Sequence, residues 1–137
     1  LFAIISDELG KNVEAYTLSY FNIISGNVSV PTATVRIVKD GITTEEAATG
    51  DGPVDAIFKA IERSTGIKTT LKEYLVKAVT PGKQAIGEVS VTLDIDGALY
   101  RGRGSSTDIL EASAFAFVNA LNRYELLSQH AAEQEAL

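Results

Sequence analysis

The chain repeats one order of secondary-structure signals, and this repeat limits the folds open to it. Asp40-Gly41 and Asp96-Gly97 each separate two β-rich runs, a pattern typical of a two-residue hairpin. A further strand precedes each hairpin and an amphipathic helix follows it, with an offset of 53 to 56 residues between the copies. The sequence therefore predicts an α+β fold of two pseudo-repeated β-β-β-α units, each a three-stranded antiparallel sheet covered by a helix.

Periodicity places the individual elements. An apolar stripe with i, i+3, i+4 and i+7 spacing predicts the first helix, which Gly66 ends. The first strand has a broken alternation, carried by Tyr16, Leu18, Tyr20 and Ile23. The predicted strands cover residues 15–25, 30–38, 42–49, 71–80, 87–95 and 98–104, and the predicted helices cover residues 53–64 and 106–127.

The second helix is rich in alanine, and small side chains permit neighbouring elements to approach closely. We expect a packed layer of helices, and we expect Ser105 or Ser106 to be the N-cap. The candidate buried positions are Ile109, Ala112, Ala116, Leu121 and Leu127.

Composition excludes several classes of function. The 137 residues carry a net charge of −6 without a basic cluster, which disfavours nucleic acids and anionic membranes as partners. No cysteine is present, and the lone His130 cannot build a histidine-based metal site or a catalytic triad. The chain starts without Met, so we expect a piece of a longer protein. An enzyme would need carboxylates, Lys or Tyr alone, so the chain is not expected to be one.

The two predicted helix starts carry the clearest chemistry. Pro53 suits the first helical position, because the amide hydrogen that it lacks has no partner there. Gly50 and Gly52 permit a tight turn and leave room beside the free N–H groups that follow. Such a start accepts a phosphate or a carboxylate. The alternative is a well-capped helix that binds nothing.

Five segments, in order, resemble the C-terminal regulatory domain of the 2-isopropylmalate synthase family. The resemblance covers about residues 13–125, and the two helix starts together are its specific part. The segments are Pro31-Thr32-Ala33-Thr34-Val35, Gly50-Asp51-Gly52-Pro53-Val54-Asp55-Ala56, Ala78-Val79-Thr80, Gly87-Glu88-Val89 and Ser106-Thr107-Asp108-Ile109-Leu110-Glu111-Ala112-Ser113.

The resemblance implies an allosteric feedback-inhibition domain of a cytoplasmic acyltransferase in leucine biosynthesis. In this family the domain forms a dimer and binds L-leucine near the dimer interface. A separate TIM-barrel domain holds a divalent metal and condenses acetyl-CoA with 2-oxoisovalerate, so the resemblance implies no activity and no cofactor in this chain by itself. Residues 1–12 are then the end of a linker, residues 13–127 the effector-binding domain and residues 128–137 a frayed tail. The alternatives are the isoleucine-sensing domain of citramalate synthase and a purely structural dimerisation module.

The resemblance also implies an effector site. The predicted effector-binding residues are Gly50, Gly52, Val54, Asp55, Leu71, Tyr74, Ala78, Ala85, Gly104 and Ser106. An amino acid effector needs an anion site, a cation site and an apolar slot. The first helix start suits the carboxylate, Asp55 or loop carbonyls suit the ammonium, and Val54, Tyr74 and Ala78 are among the residues expected to bound the slot. The alternative roles are plain core for Val54 and Leu71, packing for Tyr74, and interaction with the helix dipole for Asp55.

Overall fold

The structure contains the two predicted units. The computed structural model describes residues 14–78 and 85–136, with side chains up to Gln129. The expected linker and the last two residues of the predicted strand 71–80 lie outside these residues. The elements are β1 (Thr17–Gly26), β2 (Ser29–Lys39), β3 (Ile42–Thr49), α1 (Pro53–Thr65), β4 (Thr70–Ala78), β5 (Gly87–Ile95), β6 (Ala98–Ser106) and α2 (Ile109–Ala136).

The first unit is an antiparallel sheet in the order β1-β2-β3, with α1 packed on β2 and β3. Asp40 and Gly41 have positive φ angles of 52° and 77°, which the predicted tight hairpin requires. Alternate residues of β2 form the buried face, namely Ala33, Val35 and Ile37. The broken alternation of β1 has a physical cause, because a β-bulge lies between Leu18 and Tyr20.

The second unit repeats this arrangement as an antiparallel sheet in the order β4-β5-β6. Asp96 and Gly97 turn the chain with positive φ angles of 54° and 85°. The strand β5 is central, and its alternating residues Val89, Val91, Leu93 and Ile95 are buried. A bulge between Leu71 and Glu73 interrupts β4, so the first strand of each unit is irregular at its beginning.

The helix α2 rests directly on β6. A Cβ atom added at Gly102 would overlap the backbone of Ala116 and Ala120, and one added at Gly104 would overlap the backbone of Ala112 and Ala116. Only hydrogen at these strand positions lets the two backbones approach so closely. The alanines of α2 are buried as predicted, but three of them, Ala112, Ala116 and Ala120, face this strand rather than a second helix.

The two units share one core through their helices. The ring of Phe58 on α1 stacks on the ring of Phe117 on α2, with centroids 4.5 Å apart and planes 29° apart. Both side chains are buried. Offset stacking of this kind adds about 0.5–1.5 kcal/mol beyond the burial of area. The helix pair therefore joins the apolar faces of the two sheets.

The limits of α2 differ from the prediction. Ser105 and Ser106 belong to β6, and the helix is capped by Asp108, whose Oδ1 accepts the N–H of Leu110 at 2.9 Å. The predicted N-cap, Ser105 or Ser106, was therefore wrong by two or three residues. The helix continues to Ala136, beyond the predicted end at Leu127. Leu127 is 40% exposed and is not a core residue.

Just before β1, Tyr16 is hydrogen-bonded to side chains of α2. The side-chain amide of Asn122 accepts the N–H of Tyr16 at 2.6 Å and donates to its carbonyl oxygen at 3.0 Å. The Tyr16 hydroxyl donates to Glu125 at 2.9 Å, and Lys39 completes the group. Burial, followed by the Glu125 carboxylate, raises the pKa of Tyr16. The first unit is thereby tied to the helix of the second.

Substituting Gly102 with alanine should separate α2 from β6. We expect Gly102→Ala to lower the free energy of unfolding by about 1–3 kcal/mol, the usual cost of overpacking. Urea unfolding followed by circular dichroism measures the change. Gly26→Ala is the matched control, because a Cβ atom there meets nothing within 4 Å; its effect should stay within about 0.5 kcal/mol. Equal losses in the two variants would contradict the close contact.

Candidate functional site

The first helix start is open. The N–H of Gly50 donates to the Pro31 carbonyl at 3.0 Å, and a Cβ atom at Gly50 would overlap the backbone of Ala56. Gly52 is the N-cap residue, in an extended conformation, and it has no side chain to cap the helix. Among the described residues, the N–H groups of Val54 and Asp55 have no backbone acceptor. Two donors therefore point out of the helix beside glycine.

The side chain of Asp55, in the first turn of α1, stabilises the loop that precedes the helix. Its Oδ2 accepts the N–H of Asp51 at 2.9 Å and forms an ion pair with Lys59 Nζ at 3.0 Å. The Asp51 N–H, and then the Lys59 ammonium, hold the pKa of Asp55 below its ordinary value of 3.8. The carboxylate is thus partly neutralised, although it lies close to the open helix start.

The second helix start is closed by its own side chains. Asp108 caps Leu110, and the hydroxyl of Ser106 accepts the N–H of Asp108 at 3.0 Å. The same hydroxyl donates to Glu111 Oε1 at 2.8 Å. Two carboxylates, Asp108 and Glu111, therefore occupy this end of α2 and would repel an anion. The two predicted anion sites are not equivalent.

Tyr74 connects the edge strand β4 to both helices. Its ring meets the ring of Phe58 on α1 edge-on, with centroids 6.2 Å apart and planes 65° apart. Its hydroxyl lies 2.7 Å from the hydroxyl of Ser113 on α2. Val54 is one helical turn before Phe58 on the same side of α1. The structure therefore places Tyr74 close to the helix that carries the open start.

The remaining predicted residues lie in different places. Ala78 and Ser106 flank Gly87 in one row across the second sheet, and Ala85 is exposed just before that row. Leu71 is at the opposite end of β4, about 23 Å from Ala78 at 3.3 Å per residue. Gly104 is buried beneath α2. A single amino acid cannot touch both ends of β4 in one copy of the chain.

Part of the apolar surface of β4 is uncovered. Leu71, Tyr74 and Val76 are paired with buried residues of β5 and so lie on the helix-facing side of the sheet. Leu71 is nevertheless 43% exposed and Val76 is 50% exposed. The helix α2 covers β6 and β5 instead. This half-open apolar face lies along an unpaired strand edge.

A separate open groove of about 770 Å³ lies between the end of α1 and the β5–β6 turn. Its acidic groups already serve local structure, because Glu62 accepts from Thr69 and Asp94 accepts from Gly97. None of the ten predicted site residues lines it. Among the side chains of residues 14–78 and 85–129, no group of three potential metal ligands is present. Within the same ranges, neither helix combines the length and the apolar character needed to cross a membrane.

Two residues of this region were not among the predicted site residues. Phe58 belongs to the apolar stripe of α1, which predicts a core residue but not a contact with Tyr74. Ser113 is fully buried, and its partner Tyr74 is 39 residues away in the sequence. No local pattern marks such a pair, because Ser113 follows ordinary helical spacing.

Comparisons with known proteins agree on one family. The sequence pattern of the LeuA allosteric (dimerisation) domain family matches residues 1–125. The 2-isopropylmalate synthase of Sediminispirochaeta smaragdinae is 48% identical over 126 residues, which are 92% of this chain and 25% of that protein. The same-named proteins of Carboxydothermus hydrogenoformans and Pyrococcus furiosus are 52% and 51% identical over 90% and 88% of this chain and 24% of each relative. The chain thus spans about a quarter of the length of these relatives.

The interaction of Asp55 with the first helix start should be visible in the pH dependence of stability. Because the folded-state pKa lies below the unfolded value, this stabilisation is present above the ordinary pKa and is lost as pH falls through the folded-state value. Urea unfolding at pH 7 should show that Asp55→Asn costs about 0.2–1 kcal/mol, towards the lower end because the group is two-fifths exposed.

The difference between Asp55→Asn and the original chain should shrink at pH 3. Asp51→Asn is the matched control, since it removes the same charge from an exposed neighbour whose carboxylate has no hydrogen bond among the described residues. A loss that is independent of pH would contradict the assigned role of the Asp55 carboxylate.

Proposed function

Because the chain belongs to the LeuA allosteric (dimerisation) domain family, we propose that it is the feedback-regulatory module of a 2-isopropylmalate synthase and binds L-leucine. The observation that carries this proposal is the open helix start, on the same helix whose Phe58 contacts Tyr74, in a chain of this family. A leucine molecule presents an α-carboxylate, an ammonium and a branched aliphatic side chain. Each of these groups has a chemical counterpart in this part of the fold.

The carboxylate is assigned to the first helix start. The unpaired N–H groups of Val54 and Asp55 supply two donors, and the helix dipole adds favourable charge. The second start is a poorer candidate, since Asp108 and Glu111 already occupy it. The ammonium is assigned to carbonyl oxygens of the Gly50–Gly52 loop and to Asp55, whose carboxylate is close by.

The aliphatic side chain is assigned to the surface between Val54 and Tyr74. Val54 and Tyr74 are both half-buried, and the small side chain of Ala78 is exposed at the end of β4. These residues suit a branched aliphatic group because they are apolar and do not fill the space at the strand edge. The discrimination between leucine and isoleucine depends on where one methyl group branches, a difference of about 1–3 kcal/mol in a shaped pocket.

A second copy of the chain is the proposed cover for the exposed face of β4. An apolar strand edge with Leu71 and Val76 half-exposed is a surface that monomeric proteins normally protect. The family name itself includes dimerisation. In a dimer, Leu71 of one copy can approach the site of the other, which removes the distance problem along one strand.

The regulatory effect requires two states with different affinity for leucine. We assign catalysis, the divalent metal and acetyl-CoA to a TIM-barrel domain outside this chain, in a cytoplasmic enzyme. Binding at the boundary between α1, α2 and a second copy favours the packing that leucine fits. The difference in the free energy of leucine binding between the two states is the free energy available for inhibition.

The first test is a calorimetric titration of the chain with leucine, isoleucine and valine, together with its mass in solution. We expect a dimer that binds leucine saturably and binds the other two more weakly. Preference for isoleucine would instead point to the regulatory domain of a citramalate synthase. A dimer that binds none of the three would leave only a structural role and would refute the effector function.

The second test fills the open helix start. Gly52→Asp places a carboxylate at the N-cap, in a position where a Cβ atom meets nothing within 4 Å. Aspartate is a good N-cap, so the free energy of unfolding should be unchanged or higher by a few tenths of a kcal/mol. The dissociation constant for leucine should rise at least about tenfold, because the new carboxylate takes the same N–H groups and repels the ligand.

Gly26→Asp is the control for this charge change. It adds the same side chain at a glycine that also has open space around its Cβ position, at the last residue of β1. Its affinity for leucine should match that of the original chain. If Gly52→Asp binds leucine as tightly as Gly26→Asp does, the carboxylate of leucine does not lie at this helix start.

A further inference from the structure

Ser113 is a polar residue in the middle of the apolar core. It is fully buried on the second turn of α2, whereas every other serine, threonine, amide or charged side chain among the described residues is at least partly exposed. Its hydroxyl donates to the carbonyl of Ile109 at 2.7 Å, the residue four positions earlier in the helix. That bond uses the only proton that the hydroxyl can donate. The oxygen can still accept a hydrogen bond from another group.

The second bond is made by Tyr74. The hydroxyl oxygens of Tyr74 and Ser113 are 2.7 Å apart. Since the Ser113 proton is directed to the Ile109 carbonyl, the Ser113 oxygen accepts and the Tyr74 hydroxyl donates. Tyr74 lies on an exposed edge strand where water could bind its hydroxyl, yet the group points inward to the helix. The bond fixes one end of the tyrosine ring.

The rest of the ring is held by a closed group of side chains. Tyr74 meets Phe58 edge-on, Phe58 stacks on Phe117, and Phe117 is one helical turn after Ser113 on the same side of α2. A closed set of neighbouring side chains therefore links β4, α1 and α2, and its members are Tyr74, Phe58, Phe117 and Ser113. Rotation of Tyr74 towards solvent would break its hydrogen bond and its contact with Phe58 together.

We propose that Ser113 is a positioning residue that fixes the ring of Tyr74, and that this orientation sets the shape of the aliphatic slot for a branched-chain amino acid. This role rests on the proposed function, because it concerns the same slot. Ser113 does not touch the ligand. It acts through Tyr74, whose fixed ring favours a leucine side chain over the isoleucine side chain with its branch one carbon nearer.

A double-mutant cycle tests this role with four proteins: the original chain, Ser113→Ala, Tyr74→Phe and the double variant. Calorimetry gives the affinities of each for leucine and isoleucine, and urea unfolding reports whether each is folded. We expect each single variant to bind leucine about five- to tenfold more weakly and to lose most of its preference over isoleucine. The double variant should be no weaker than either single variant, because both changes remove the same bond.

Ser64→Ala is the matched control. Ser64 on α1 makes the same type of bond, to the carbonyl of Ala60 at 3.0 Å, whereas the hydrogen-bond partner of the Tyr74 hydroxyl is Ser113. Its removal should leave both affinities unchanged. The ratio of the two affinities is the decisive readout, since a general loss of stability would weaken leucine and isoleucine equally.

Two results would overturn the role of Ser113 while leucine binding itself stands. One is a Ser113→Ala protein with the original affinities and the original ratio, which would make Ser113 a structural residue only. The other is a double variant whose loss is the product of the two single losses, which would mean that Ser113 does not act through Tyr74. If the original chain binds neither amino acid, the proposed function fails and the role of Ser113 fails with it.

Discussion

The structure depends on covering two one-sided sheets with two helices. The apolar face of a three-stranded sheet has to be buried against another element, and each helix here covers only part of its own sheet. The stack of Phe58 on Phe117 closes the space between the helices, so that both apolar faces share one core. The first strand of each unit, β1 or β4, lies at the margin of this core. Ligand and partner contacts are accordingly expected at the margins, where the helices do not reach.

Much of this architecture was predictable because it is written in short-range patterns. The two Asp-Gly hairpins need residues that accept positive φ, and the apolar stripe of α1 has helical spacing over two turns. The start of α2 was not predictable in the same way. Ser105, Ser106 and Asp108 are all acceptable N-cap residues, and the choice depends on hydrogen bonds among Ser106, Asp108 and Glu111 that exist only once β6 is paired. The prediction that Leu127 is buried was wrong, because helical spacing alone does not show how far along α2 the contacts with the core extend.

The candidate site shows the same division between local and distant information. The open turn at Gly50 to Pro53 follows from residue type, since glycine offers no capping side chain and proline offers no N–H. The contacts of Tyr74 do not follow from its neighbours, because one partner is 39 residues away and the other belongs to the first unit. The roles of the ten predicted effector residues remain predictions. The structure adds a physical difference between the two helix starts, which look alike as sequence motifs.

The glycines of β6 have a consequence for how related sequences are read. Gly102 and Gly104 are required by the short distance between the backbones of β6 and α2. This requirement does not depend on charge, polarity or the identity of a ligand. The neighbouring residues Arg101 and Arg103 are exposed, and this exposure to solvent is the main constraint on their identity. A relative with any other residue at one of the glycine positions must hold its helix farther from its sheet, and the alanines opposite would have to change with it. Covariation between these strand and helix positions should therefore report the distance between helix and sheet across the family.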